Sequence, residues 1–253
     1  MTALVETIDH GAIRELRMAR PPVNALDPAL CAELGRAIGE AIAAGASGLV
    51  LSGGPKVFSA GLDVPFLVRL GDDRTALRNA WEGFFAVARA LVHAPVPVVA
   101  ALGGHAPAGG CVLALCCDYR VMAAGDFRIG LNETQVGLVA PEGIQRLMRR
   151  AVGTARAERL LVAGELVEAE RALRIGLVDE LAPPEEVTAR AIARLQHLLA
   201  LPREAMSHTR RIARADMIEA LEPEHIELDR FVEAWYAEGT QAALKALVAK
   251  LGK

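Results

Sequence analysis

Two hydrophobic rhythms run along this chain, and each marks a different kind of element. Leu4 to Ile8 and Ala12 to Leu16 flank an Asp9-His10-Gly11 turn and predict a hairpin, which Arg20-Pro21-Pro22 ends. Beyond it Leu30, Leu34, Ile38 and Ile42 recur at helical spacing, with Asp27 placed to cap the helix. Gly48–Ser52 and Pro97–Leu102 are short apolar runs, the pattern of strands buried on both faces. A further strand is predicted over Tyr119–Ala123, and helices over Trp81–Val92 and from near Ala108. Strand, glycine-rich loop and helix thus recur without an internal sequence repeat, which predicts an α/β fold.

After Pro183-Pro184 the strand signal stops, and Pro202 and Pro223 divide the remainder into three helical pieces. Ile226, Phe231, Trp235, Leu244, Leu247 and Leu251 give these pieces apolar faces. The pattern predicts a core over residues 1–195 and a helical region over 196–253. Phe231, Trp235, Leu244 and Leu247 exceed what a short appendage hides against itself, so burial against a second copy of the chain is expected.

Composition narrows the function classes. The chain has 253 residues, 53% hydrophobic and 23% charged, with mean hydropathy +0.28, far too apolar for disorder. Its formal charge is −3 without a basic block, so no nucleic-acid partner is expected. The longest apolar stretch, Ala94 to Leu102, carries two prolines and is too short to span a bilayer. Acidic residues interrupt the first 18 positions, so no signal peptide and no membrane partner are expected. The four cysteines form no CxxC pair, which points to no metal site, no disulfide framework and a reducing, cytoplasmic address.

Two glycine-bearing loops follow predicted strands, Ser52 to Asp63 and Leu102 to Gly110. Each leads toward a helix from the carboxyl end of a strand, where open α/β folds place ligands and where backbone N–H groups can face an anion. Neither loop fits a dinucleotide or triphosphate motif, and tight turns that need glycine for packing explain both equally well. Among the acids Glu133 stands apart, because no cation lies within four positions and its neighbours are apolar or small. Desolvation there raises a carboxyl toward the range of a general base, although an exposed loop acid has the same sequence. Glu142 in Pro141-Glu142-Gly143 is a second candidate, and Asp63 suits an N-cap for a helix beginning Val64-Pro65. Ser59 lies in FSAGLD, not in a GxSxG elbow, and His105 borders a glycine loop without a nucleophile partner. Arg149-Arg150 and Arg210-Arg211 read most simply as solvated helix faces, with contact of a subset to phosphate groups as the alternative.

FSAGLD, PAGGCVLALCCDYR, GLVAPEGIQRL and ERLLVAGELVEAERALRIGLVDEL together resemble the crotonase, or enoyl-CoA hydratase/isomerase, superfamily. The resemblance runs from Pro22-Val23-Asn24-Ala25-Leu26 nearly to the C-terminus. It implies a spiral of ββα units followed by a helical trimerisation region, and hence a homotrimer or dimer of trimers. It also implies chemistry on an acyl-CoA through a thioester enolate, whose oxyanion is held by the N–H groups of Leu62 and Gly109. Coenzyme A then arrives as part of the substrate, and no separate cofactor is called for. The resemblance lays the carrier along Val23, Ala25, Ser59, Ala60 and Gly61, with Gly110 and Val112 beside the acyl group and Lys56 as a phosphate contact.

Hydratases of the superfamily carry a glutamate directly after the cysteine of GGGCELA and a second one in a PE motif. This chain has Val112 at the first position and keeps Glu133 at the second, in IGLNETQ. Placing and activating a water uses two carboxylates, whereas moving a double bond uses one base that takes a proton from C2 and returns it at C4. The departure therefore resembles the Δ3,Δ2-enoyl-CoA isomerase branch of mitochondrial type. A hydratase or related acyl-CoA lyase, and a silent acyl-CoA-binding protein, are the alternatives on the same fold.

Overall fold

The computed structural model describes residues 3–250 and 252, so Leu251 lies outside the described residues. Strands β1 (Val5–His10) and β2 (Ile13–Met18) form the expected antiparallel hairpin, with Gly11 at φ +73° in its turn. Strands β3 (Gly48–Ser52), β4 (Val98–Leu102), β6 (Tyr119–Ala123) and β9 (Glu180–Ala182) then add in parallel, giving the order β1-β2-β3-β4-β6-β9. Every residue of β3 and β4 is buried, because helices cover both faces of the sheet. A second sheet is built from the short strands β5 (Ala106–Pro107), β7 (Arg128–Gly130) and β8 (Val167–Glu168). Two successive turns of the chain, β4-β5 and β6-β7, thus lay one strand in the large sheet and one in the small sheet before the next helix.

Helix α1 (Pro28–Ala43) starts where expected, with the Asp27 carboxylate accepting the Leu30 N–H at 2.8 Å. Helices α2 (Val64–Arg69), α3 (Arg74–His93) and α4 (Gly109–Leu115) follow. A 3₁₀ turn at Glu133–Val136 precedes α5 (Glu142–Val152), α6 (Thr154–Ala163) and α7 (Ala169–Ile175). Alternate residues of the large sheet face two apolar layers. Leu49, Leu51, Ala100 and Leu102 join the main core, while Val50, Val99, Ala101 and Val121 meet Val187, Ala191 and Leu195 of α8 (Val187–Leu199).

The C-terminal region corrects two expectations. It comprises α9 (Arg203–Ala213), α10 (Ala215–Ala220), α11 (Pro223–Ile226), α12 (Leu228–Trp235) and α13 (Glu238–Lys250), so it breaks more often than its prolines alone indicate. The boundary expected at residue 195 falls inside α8, and Met217, Phe231, Trp235 and Leu244 belong to the main core. The second correction concerns what covers those aromatics. Phe231 lies 4.4 Å and Trp235 6.3 Å, ring to ring, from Trp81 of α3 in the same chain. Intramolecular closure of α12 on α3 thus buries the surface that was expected to need a second copy. No described helix is long and apolar enough to cross a membrane.

Candidate active site

A cavity of about 310 Å³ opens where the two glycine loops, the 3₁₀ turn and the C-terminal helices converge. Its walls are largely apolar, with Trp81 and Phe84 from α3, Phe231 and Trp235 from α12, and Leu247 from α13. Val23, Ala25, Ala60, Leu62, Gly109, Val112 and Glu133 also line it, so seven sequence-selected residues meet in one place. Lys56, Ser59, Gly61 and Gly110 do not. Lys56 is exposed on the loop after β3. Ser59 is fully buried, and its hydroxyl donates to the Asn24 carbonyl at 2.8 Å and accepts the Gly61 N–H at 3.2 Å. Gly110 packs on that segment, since a Cβ there would lie 2.5 Å from the Ser59 carbonyl oxygen. These three hold the loop in shape behind the cavity wall.

How the loop is held explains where its amides point. Residues Leu26 and Leu62 pair like parallel strands: Leu26 N–H donates to Gly61 O at 2.8 Å, and Asp63 N–H to Leu26 O at 3.1 Å. Successive groups on an extended chain point to opposite sides, so the Leu62 N–H faces away from this pairing. Neither it nor the Gly109 N–H has a hydrogen-bond acceptor among the described residues, whereas Ala108 N–H is engaged by Gly130 O at 2.8 Å. Ala108 adopts φ +47°, a conformation costly for a residue with a side chain, at the turn that presents Gly109. Gly61 lies at φ +82°, and a Cβ on it would sit 2.9 Å from the Gly109 nitrogen. Glycine at 61 therefore keeps that amide uncovered. Other loop glycines serve packing alone: a Cβ on Gly104 would lie 2.1 Å from Lys56 backbone, where the two loops cross.

The sequence reading passed over Asn24 as a side chain. It is buried at φ +49°, accepts the Arg20 N–H at 2.8 Å and donates to Phe58 O at 3.0 Å, tying the segment before α1 to the FSAGLD loop. An asparagine between two apolar residues after Pro-Pro was the available signal, because asparagine tolerates the left-handed region.

Glu133 opens the 3₁₀ turn, which closes through Leu138 N–H to Glu133 O at 3.0 Å and ends on Gly137 at φ +75°. Thr240 of α13 donates its hydroxyl to Gly137 O at 2.8 Å, so the C-terminal helix braces the turn. Glu133 is half-buried as a residue, but its Oε2 is sealed from solvent and has no hydrogen-bond partner among the described residues. Burial without a cation pushes its carboxyl up to about 7. The cavity's other acid, Asp63, is committed elsewhere. Its Oδ1 caps α2 through the Phe66 N–H at 2.9 Å, and its Oδ2 takes Arg20 at 2.8 Å.

The remaining candidates fall outside the cavity. Glu142 lies on the surface of α5, and its pairing with Arg146 at 3.0 Å holds its carboxyl below the usual range. His105 accepts the Arg128 N–H on Nδ1 at 3.1 Å and packs edge-on against Phe127. Arg210 is no solvated face, since it grips the Asp118 carboxylate at 2.8 and 2.9 Å and is only 12% exposed. Among the described residues no cluster of acids, histidines and cysteines has the form of a metal site.

The site therefore brings a lone, neutral-poised carboxyl and two free amides to one apolar hollow. A carbonyl oxygen at the amides and an acidic C–H at the carboxyl are what such a hollow can activate. The model of the enoyl-CoA hydratase/isomerase family matches residues 9–248. The chain is 32% identical to mouse mitochondrial enoyl-CoA delta isomerase 1 over 255 residues, spanning 98% of this chain and 86% of that protein. It is 35% identical to a probable enoyl-CoA hydratase of Mycobacterium avium over 201 residues, spanning 76% and 74% of the two chains. Human mitochondrial Δ3,Δ2-enoyl-CoA isomerase superposes with a TM-score of 0.92 at 30% identity, covering 98% of each chain. On its motifs, its spiral of paired sheets and this agreement along nearly its whole length, the chain belongs to the enoyl-CoA hydratase/isomerase family of the crotonase superfamily.

Proposed function

We propose that this enzyme of the crotonase superfamily is a Δ3,Δ2-enoyl-CoA isomerase, with Glu133 as its one acid–base group. The observation that carries the reading is that Glu133 is the cavity's only uncommitted carboxyl among the described residues, with Val112 where hydratases carry a second. The thioester oxygen of a 3-enoyl-CoA accepts the N–H groups of Leu62 and Gly109. Glu133, ionised, removes a proton from C2. The C2–H electrons pass into the thioester, giving a dienolate whose oxyanion the two amides stabilise. The protonated Glu133 then returns the proton at C4, the double bond settles between C2 and C3, and the carboxylate is regenerated. The route uses no metal and no redox group, because the thioester itself acidifies C2.

Val23, Ala25 and Ala60 lie along the cavity where the carrier would run, and exposed Lys56 is available to its phosphates. Trp81, Phe84, Phe231 and Trp235 offer the acyl group a dry, apolar wall. The expected trimer, or dimer of trimers, now rests on α9 and not on the aromatics: none of its residues is buried, and Ile212 is 72% exposed.

Glu133→Gln tests the reading, since it keeps size and hydrogen bonding while removing the base. Isomerase turnover on a 3-enoyl-CoA should fall by about 10²–10⁴ with acyl-CoA affinity little changed. Wild-type turnover in the variant, or faster hydration of a 2-enoyl-CoA than isomerisation by the parent enzyme, would overturn it.

A further inference from the structure

At the other end of α4 from Gly109 lies a second cavity, of about 590 Å³, which shares no lining residue with the first. Arg120 of β6, Arg150 of α5, Arg210 of α9 and Arg214 between α9 and α10 line it, together with Asp118 and Asp179. Four cationic and two anionic side chains line it, and Asp216, just outside the lining, takes Arg150 Nη1 on both carboxylate oxygens at 2.6 and 2.5 Å, which leaves a formal excess of one positive charge. The acids present have little left to give. Asp118 Oδ1 accepts Arg210 Nε at 2.8 Å and Arg214 Nη1 at 2.7 Å, while its Oδ2 accepts Arg210 Nη2 at 2.9 Å and the Val98 N–H at 2.7 Å. Asp179 Oδ2 takes both the backbone N–H of Arg120, at 2.8 Å, and its guanidinium, at 2.7 Å.

Two donors remain unmet. The Nε atoms of Arg120 and Arg214 are buried without a hydrogen-bond partner among the described residues, and Arg214 is only 4% exposed. Burial draws the Arg214 guanidinium below its usual range despite Asp118 beside it. A network serving structure alone is best closed by pairing each buried cation with an acid, because uncompensated buried charge is strongly unfavourable. Here four guanidiniums share three carboxylates, those of Asp118, Asp179 and Asp216, around an open cavity. Guanidiniums arriving from three elements and the α9–α10 junction match an anion with several oxygens, which offers more acceptors than a carboxylate.

The geometry points to an oxyanion-binding site of the phosphate class, formed by Arg120, Arg150 and Arg214 around this cavity. It is independent of the reaction at Glu133. Inorganic phosphate is the probe, titrated against the full chain with chloride adjusted to hold ionic strength constant. One phosphate should bind per chain, and the melting temperature should rise by roughly 3 °C at ten times Kd. Arg150 is 39% exposed, so Arg150→Gln leaves the Asp118 node intact and should weaken phosphate binding about ten-fold, as should Arg120→Gln. Displacement of phosphate by adenosine 3′,5′-bisphosphate identifies a nucleotide-borne phosphate as the ligand, and absence of displacement identifies the free anion. Equal melting in phosphate and chloride, or a phosphate response unchanged in both variants, overturns the assignment.

Discussion

Two acidic side chains sit at opposite ends of the same short helix, and their surroundings could hardly differ more. Glu133 shares the Gly109 end with apolar walls and has a buried oxygen that nothing satisfies. Asp118, just past the other end, receives two arginines and a backbone amide within 2.9 Å. The first is left without a partner, so its proton is free to move near neutral pH. The second is fully engaged by its neighbours and joins strand β4, helix α9 and the α9–α10 junction, segments 20 to 96 residues away from it in the chain. An unsatisfied carboxyl oxygen at one end and a saturated carboxylate at the other separate the proposed reactive centre from a node that ties distant segments together.

Breaking the saturated node should have the largest effect on folding. Asp118→Asn leaves Arg210 and Arg214 without their shared carboxylate, and loss of one partner from a buried ion pair costs about 3–5 kcal/mol. Urea unfolding should show this loss, and added phosphate should restore part of it if the neighbouring cavity holds an anion. Stability equal to wild type would mean that the arginines are solvated after all.

The reactive end should break differently. Gly61→Ala places a Cβ beside the Gly109 nitrogen, covering one of the two amides. Turnover should fall by about 10²–10³, the usual cost of one oxyanion donor, whereas folding loses only about 1–3 kcal/mol of backbone strain. Equal activity in the variant would remove Gly109 from the reaction.

The smallest effect concerns pH. Burial raises the folded carboxyl of Glu133 to about 7, above the usual glutamate range. Folding therefore favours its protonated form, and that contribution is complete below the usual range and lost as pH rises through 7. Relative to wild type, Glu133→Gln should be more stable by roughly 3 kcal/mol at pH 8 and nearly equal at pH 4. Wild-type turnover should rise over the same interval, as the base ionises. Parallel unfolding curves at both pH values would show that Glu133 is solvated.

Much of this site was visible in the residues before any coordinates. Glu133 was singled out by the absence of nearby cations, and the structure leaves one oxygen of its carboxyl, Oε2, buried without a hydrogen-bond partner. Asp27 and Asp63 were expected as helix caps, and both accept the amide three positions on. Other features had no local signal. Strands β5, β7, β8 and β9 are two or three residues long, too short for any hydrophobic period to register. The glycine loops were equally compatible with packing and with chemistry, and the structure divides them by position: Gly104 packs against backbone, while Gly61 keeps an amide open.

The sequence by itself determined what depends on near neighbours in the chain: the hairpin, the buried central strands, the capped helix starts, the family motifs and the cation-free setting of Glu133. Tertiary structure alone decided which distant groups meet. Leu62 and Gly109 line one cavity because the Leu26–Leu62 pairing turns one amide outward and Ala108 presents the other. Phe231 and Trp235 close on Trp81 of their own chain, not on a neighbour. Arg210 leaves the solvated face its helix suggested because Asp118, 92 residues away in sequence, reaches it. Desolvation and pairing depend on distance in space, and a local pattern of residues carries no measure of that distance.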